Sequence, residues 1–364
     1  MLRIFTPVRR LQGIFLIVAS SALAAGFGAP SHAQVKPAQA CALINQPIRV
    51  VVTDEAGVAS KEPSPLRIDL VSPERGEIVQ SEVIDASQAE IDLARVFPRL
   101  WETPAQAVLY AQLARGETAI GPALILEPMA APRYAPRADR DGVPQFTPGA
   151  VPSSQPASTP SSRDSARGPK SNNRTFSGYW LSVDKHAVVE TSRGTLVFRL
   201  RPDVAPNSVR NFRELVEKGF YTNIPVHRIA SLLAQPQPDI IQFGDPTGTG
   251  QGGPGYMIDL EPSTLRHDYG VLSYARTSDP NSAGSQVIIC LSREGTSSLD
   301  GKYASFAQLV SGAETMWALA KTKVNNDGKP LEAPIIKSIT LVDAPPITET
   351  PEPLADPMKQ IPAR

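Results

Sequence analysis

The chain has 364 residues, with 36 basic and 36 acidic side chains, four histidines and two cysteines. That length exceeds one ordinary core and suits two domains of roughly 100 to 170 residues each once a leader and linkers are set aside. The balanced charge argues against nucleic acid as a partner, and Cys41 and Cys290, in separate expected domains, do not make a disulfide framework and read as small buried hydrophobes.

At the N-terminus Arg3, Arg9 and Arg10 precede an uncharged apolar run from Leu11 to Ala25. The run is shorter than the roughly 20 residues a membrane-spanning helix needs, and Ser31 and Ala33 offer a cleavage site, so residues 1–33 read as a signal peptide. An earlier cut after Ala24 and an uncleaved anchor are the alternatives. No later segment suits a bilayer. Removing the leader takes away three arginines and no acids, leaving 33 basic against 36 acidic residues. The expected location is outside the cytoplasm, periplasmic or secreted.

From Ala42 to Pro128 short alternating runs predict strands at Ile48–Thr53, Leu66–Val71, Ile78–Ile84, Val108–Leu113 and Ala119–Leu126, separated by turn-rich pieces such as Asp54-Glu-Ala-Gly57. This pattern favours a small β-sandwich over residues 42–128. Trp101 and Tyr110 read as core, and no residue pattern here proposes chemistry, so the region is taken as a binding or spacer module. Residues 129–175 are rich in Pro and Ser, with eight prolines between Met129 and Lys170, and read as a linker. Residues 344–364, with six prolines, read as a disordered tail.

Residues 184–343 form the second expected domain. It opens with a hairpin, Ala187–Thr191 and Thr195–Leu200 about the turn Ser192-Arg-Gly194. A helix follows, with Pro206 near its start, Val209, Phe212, Leu215 and Val216 at helical spacing, and Gly219 past its end. Ala313–Lys321 supplies a second helix. Phe212 and Phe306 are core candidates, His227 a structural histidine behind Arg228, and His186 and His267 surface or turn residues. Four scattered histidines, one in the leader, do not converge as metal ligands.

Within this domain Val226-His-Arg-Ile229, Gln242-Phe-Gly-Asp-Pro-Thr-Gly-Thr-Gly250, Gly252-Gly-Pro-Gly-Tyr256, Leu272-Ser-Tyr-Ala-Arg276, Asp279-Pro-Asn-Ser-Ala-Gly-Ser-Gln286 and Leu299-Asp-Gly-Lys-Tyr303 follow one another. The glycine-rich piece lacks the Gly-Lys-Ser/Thr ending of a phosphate loop. Each segment, in this order, resembles its counterpart in bacterial-type cyclophilins over about 160 residues. The resemblance implies a mainly β fold, an eight-stranded antiparallel barrel capped by two helices, and peptidyl-prolyl cis-trans isomerase activity with no metal and no cofactor. By position Arg228 matches the catalytic arginine and Gln242 the glutamine that holds substrate backbone. Ile240, Ile288 and Leu299 match the proline pocket, Gln286 a supporting glutamine, Ala275 and Arg276 the edge where substrate docks, and Tyr303 a position held by His or Tyr.

These residue types suit the chemistry. Rotation about X-Pro is opposed by amide resonance, a barrier of about 18–20 kcal/mol. In the twisted state the prolyl nitrogen regains its lone pair, and a fixed guanidinium stabilises that state more than either planar one. Departures from the family pattern are Asp239 and Ile288 at usually aromatic positions, Ile240 for the usual Met, an insertion at Ser231–Pro238, and Ser298 where cyclosporin-sensitive members carry Trp. They imply a reshaped pocket, weak binding of that drug and reduced turnover. Expected partners are proline-containing polypeptides, bound by a monomer, with no membrane contact beyond an uncleaved leader. The expected role is assisting the folding of exported proteins. A cyclophilin-fold binding module with weak or no turnover is the alternative.

Overall fold

The structure is a computed structural model that describes residues 33–54, 65–73, 76–85, 90–102, 108–131, 134–138, 144–148 and 175–347. The expected leader, apart from Ala33, lies outside the described residues, as do most of the expected linker and the tail beyond residue 347.

The first module is built of strands, as its alternating pattern requires. Strands β1 (Ala33–Pro37), β2 (Cys41–Leu43), β3 (Arg49–Asp54), β4 (Leu66–Ser72), β5 (Glu77–Val83) and β6 (Glu90–Asp92) lead into short helices α1 (Leu93–Val96) and α2 (Arg99–Glu102). Then come β7 (Leu109–Arg115), β8 (Thr118–Ala119) and β9 (Leu124–Ala131). Sheet β1-β3-β6 lies over a larger sheet in the order β2-β12-β9-β7-β4-β5, with β8 on β7 and β12 spanning Thr175–Val183. Ile68 and Leu70 on β4, Ala111 and Leu113 on β7, and Leu124 and Leu126 on β9 share one core with Val35, Val50 and Ile91 of the small sheet. This period of two is why the strand runs were readable from sequence.

The expected linker differs in its described part. Residues 129–131 continue β9, β10 (Tyr134–Ala138) pairs with β11 (Pro144–Pro148), and the chain returns as β12 against β9 and β2. Long-range pairing supplies the order that local composition does not signal. The expected tail also begins ordered: Ile347 packs on Val71, Val108, Tyr110 and Ile125, and its N–H donates to Gln112 Oε1 at 2.9 Å.

The second module is an antiparallel sheet of β13 (Lys185–Thr191), β14 (Gly194–Leu200), β15 (Ile224–Pro225), β16 (Arg228–Ala230), β17 (Ile240–Phe243), β18 (Val271–Tyr274), β19 (Val287–Cys290), β20 (Ser305–Ser311) and β21 (Ile335–Asp343). Its order is β15-β21-β13-β14-β20-β18-β19-β17-β16. The expected eight strands are present, with the two-residue β15 as a ninth. Both edge strands are consecutive in the chain, separated by Val226 and His227, so the sheet must curl on itself. The Val226 N–H bonds Pro334 O on one side at 2.8 Å, and the His227 N–H bonds Gln242 O on the other at 3.1 Å. The interior holds Phe198, Phe212, Ile229, Ile241, Phe243, Ile289 and Phe306.

Two helices, α3 (Pro206–Glu217) and α5 (Ala313–Ala320), lie on the barrel, with short α4 (Arg293–Thr296) between β19 and β20. Pro206 opens α3 where its missing N–H costs nothing, and Gly219 beyond its end takes φ 69°, a conformation that side chains resist. Ala205 offers no capping side chain. Glu261 caps instead from a distant loop, accepting the Asn207 N–H at 3.1 Å and the Ser208 N–H at 2.8 Å. Glu261→Ala should therefore lower stability by about 1 kcal/mol, read as a reduced urea midpoint with unchanged slope.

Polar and ionic contacts join the two modules. Gln34 Nε2 donates to Asp343 Oδ2 at 2.8 Å, Asp343 also pairs with Lys185, and Arg210 of α3 pairs with Glu127 while its guanidinium sits 5.2 Å from the Trp180 ring centre. Asp184 is buried at this junction, its N–H donating to Ala123 O at 2.8 Å.

Candidate active site

Strand alternation sorts the buried residues of β16, β17 and β19 onto two faces. Ile229, Ile241, Phe243, Val287 and Ile289 point into the barrel. Their neighbours in sequence therefore point outward. Direct register pairs Arg228 with Gln242, Ala230 with Ile240, and Gln242 with Ile288, which puts all five on the outer face. There Ile240, Ile288 and Leu299 form a separate apolar cluster, with Ala230, Ala275 and Tyr303 packed against it.

A polar relay borders this cluster. The Arg228 guanidinium is exposed and its Nη1 lies 3.4 Å from Gln242 Oε1. Gln242 Nε2 donates to Gln286 Oε1 at 2.8 Å, and Gln286 Nε2 donates to the carbonyls of Gly250 and Gly252 at 2.9 and 2.8 Å. Those carbonyls are positioned by buried Asp245, which accepts N–H groups from Thr247 at 2.7 Å and Gly250 at 2.6 Å and the Thr247 hydroxyl at 2.7 Å. Burial by itself would raise the Asp245 carboxyl; hydrogen bonds from Thr247, Gly252 and Gly250 outweigh it and hold the group well below the usual carboxylate range.

Asp245 was not among the residues singled out from sequence, although Asp-Pro-Thr-Gly-Thr-Gly is a turn-forming string in which a carboxylate reaches forward to backbone donors. The structure makes its role testable through Gly252, where an added Cβ would come within 2.0 Å of Asp245 Oδ1. Gly252→Ala should displace the carbonyl that orients Gln286 and lower kcat/KM about tenfold while the barrel stays folded; a proline-peptide isomerisation assay beside a thermal melt checks this.

The other expected site residues fall nearby. Arg276 lies over the Tyr303 ring, 4.3 Å from its centre, with Nε donating to Lys302 O at 2.9 Å. All nine residues expected at the site thus lie together, in one apolar cluster, one polar relay and one stacked Arg-Tyr pair.

Four sequence expectations, on Asp239, His186, His267 and Cys41, need correction. Asp239 does not line the pocket: its carboxylate turns to the Ser231–Pro238 insertion and accepts the Ser231 hydroxyl at 2.8 Å, the Leu232 N–H at 2.7 Å and the Ser292 hydroxyl at 3.1 Å. A buried carboxylate is stable only where such donors converge. His186 and His267 are buried, 6% and 1% exposed, not surface residues. His267 Nδ1 lies 3.0 Å from Asp300 Oδ1, Nε2 lies 2.8 Å from Ser273 Oγ, and Asp300 also pairs with Arg293 at 2.6 Å. Ser, His and Asp in that order resemble a hydrolytic triad, but Ser273 has no exposure, so no substrate reaches its hydroxyl. His227 is buried behind Arg228 as expected, and burial lowers its pKa. Cys290 is buried with its thiol pushed up to about 12 by burial, whereas Cys41 is partly exposed; both are free. Among the described residues no group of three or more His, Cys, Asp or Glu side chains is placed to hold a metal ion.

A barrel that carries on its outer wall an exposed guanidinium, a braced amide relay and a small apolar cluster presents the features of a site for a polypeptide's proline. The family model for the cyclophilin type peptidyl-prolyl cis-trans isomerase/CLD matches residues 186–341. Peptidyl-prolyl cis-trans isomerase-like 1 of Aspergillus fumigatus is 35% identical over 150 residues, which span 40% of this chain and 88% of that protein. Its namesake in Emericella nidulans is 34% identical over 160 residues, spanning 43% of this chain and 93% of that protein. A crystal structure of a cyclophilin type isomerase from Cryptosporidium parvum, 34% identical, matches 44% of this chain and 99% of its own, with a TM-score of 0.40. The chain belongs to the cyclophilin-type peptidyl-prolyl cis-trans isomerase family, and its C-terminal barrel is the isomerase domain.

Proposed function

We propose that this isomerase acts on proteins exported from the cytoplasm, speeding folding steps limited by X-Pro rotation. The observation that carries the catalytic part is the direct pairing of Arg228 with Gln242 beside the Ile240–Ile288–Leu299 cluster. In this reading the cluster holds the prolyl ring, with Ala275 and Tyr303 at its edge. Gln242, steadied by Gln286, holds a substrate carbonyl or amide, and Arg276, stacked on Tyr303, borders the docking edge. Arg228 donates to the prolyl nitrogen as its lone pair localises in the twisted amide, which lowers the barrier without breaking a bond. The basic, apolar and small-residue layout of residues 1–33 supports export.

A binding module with little turnover is the second reading. It is favoured by the aliphatic lining, since Ile288 at a usually aromatic position gives the ring less area to pack on. A protease-coupled assay on a proline peptide separates the two: turnover above background supports the enzyme, and binding with background turnover supports the module. Export is tested by fractionating cells that express the full chain. A mature N-terminus after Ala33 or Ala24 outside the cytoplasm supports it, and retention of the whole chain in the cytoplasm overturns it.

A further inference from the structure

A groove of about 780 Å³ opens beside Arg228, between the Ser231–Pro238 insertion and the loop from Lys321 to Gly328. That volume lies within the range of clefts that hold ligands. Both walls are braced. On one side Asp239 ties down Ser231 and Leu232, and the Ser231 hydroxyl accepts the Gln235 N–H at 3.0 Å. The same wall carries Ala234 at φ 56°, a left-handed conformation that a non-glycine residue keeps only when its surroundings impose it. On the other side Asn325 Oδ1 accepts the N–H groups of Asp327 and Lys329 at 3.0 and 2.9 Å, and Gly328 O accepts the Ile229 N–H of β16 at 2.8 Å. A groove with braced walls costs little to order around a guest.

Its surface combines apolar area from Ala230, Pro236, Pro238 and Trp317 with a cationic rim. Arg228, Lys321 and Lys323 face it against the one carboxylate of Asp327, and among the described residues neither lysine has a carboxylate within 4 Å. The groove is continuous with the isomerase site, because Arg228 and Ala230 belong to both.

We propose that this groove is an extended subsite that takes the client polypeptide flanking the isomerised proline and prefers stretches carrying Asp or Glu. The inference rests on the isomerase reading for its occupant, and it makes Lys321 and Lys323 specificity-determining residues. Apolar surface and the two prolines pack the client chain, and the unpaired lysines select its charge.

The test uses the full chain and three peptides with one central Ala-Pro: a four-residue chromogenic peptide too short to reach the groove, and two fourteen-residue peptides carrying either Glu-Glu or Lys-Lys on both sides, four to six residues from the proline. Binding is measured by calorimetry, which needs no turnover, and kcat/KM of the short peptide by the coupled assay. The expected result is roughly tenfold tighter binding of the Glu peptide at low salt, shrinking as salt rises. Lys321→Glu/Lys323→Glu should invert that preference and leave short-peptide kcat/KM unchanged. Both lysines are exposed, so the variant keeps its fold. Equal binding of the two long peptides, or a preference that survives the double substitution, overturns the proposal. Short-peptide turnover without charge preference removes the subsite and keeps the isomerase; charge preference without turnover does the reverse.

Discussion

Arg228→Ala is expected to lower kcat/KM on a proline peptide about 10²–10³-fold, the range seen when one preorganised donor to a transition state is removed. The side chain is exposed and, among the described residues, engaged only through the long 3.4 Å contact to Gln242, so its donors can meet a substrate. For the same reason the fold should not notice its loss, and the melting temperature should stay unchanged. Arg228→Lys keeps the charge and loses the planar fork, which places it between wild type and alanine. The protease-coupled assay reads all three. Equal turnover of Arg228→Ala and wild type would remove the arginine from the mechanism.

The second large effect is on stability and comes from the junction of the two modules. Asp184 is buried there, and burial pushes its carboxyl up to about 7 against the opposing pull of Arg199. Arg201, Asp203, Arg213 and Tyr110 also interact with it, and the Lys185 N–H donates to it. Below pH ~4 the carboxyl is protonated in both folded and unfolded chains and has no net effect. As pH rises the unfolded chain ionises first while the folded chain keeps its proton to about pH 7, so stability falls across that window.

At 1.36 kcal/mol per pKa unit the loss reaches about 4 kcal/mol above pH 7. Asp184→Asn removes the titration, so it should match wild type near pH 4 and exceed it by up to that amount at pH 8. The comparison of melting curves isolates Asp184 from His186. Burial, reinforced by Arg199, lowers the His186 pKa to about 4 and gives the opposite slope, common to both proteins. A constant difference between the two proteins from pH 4 to 8 would show that Asp184 does not titrate in this range.

Much of the barrel was readable because its signals are local. The hairpin at Ser192-Arg-Gly194, the Pro206 start and Gly219 end of α3, and the ordered motifs from Val226 to Tyr303 each depend on residues close in sequence. The strand runs of the first module were readable for the same reason, since alternation of Ile68 and Leu70 or Leu124 and Leu126 needs no distant partner to be seen. What was misjudged depended on distant partners. Asp239 counted as a pocket residue by position, yet its orientation is decided by Ser231 and Ser292. His267 was taken as a surface or turn residue because nothing near it in the chain shows Asp300, 33 residues on, closing on its ring.

The reaction class was legible in residue type and order along the chain, and the same motifs named candidates for the site: an arginine, two glutamines and aliphatic positions. Whether those groups meet was not. Register on β16, β17 and β19 turns Arg228, Gln242, Ile240 and Ile288 to one face, the loop built on Asp245 meets Gln286 from 34 to 36 residues away, and two loops some ninety residues apart enclose the groove beside them. Residue identity decides what chemistry is available. Pairing between residues far apart in the chain decides where the groups point and what they touch, and that information is absent from any local stretch of sequence.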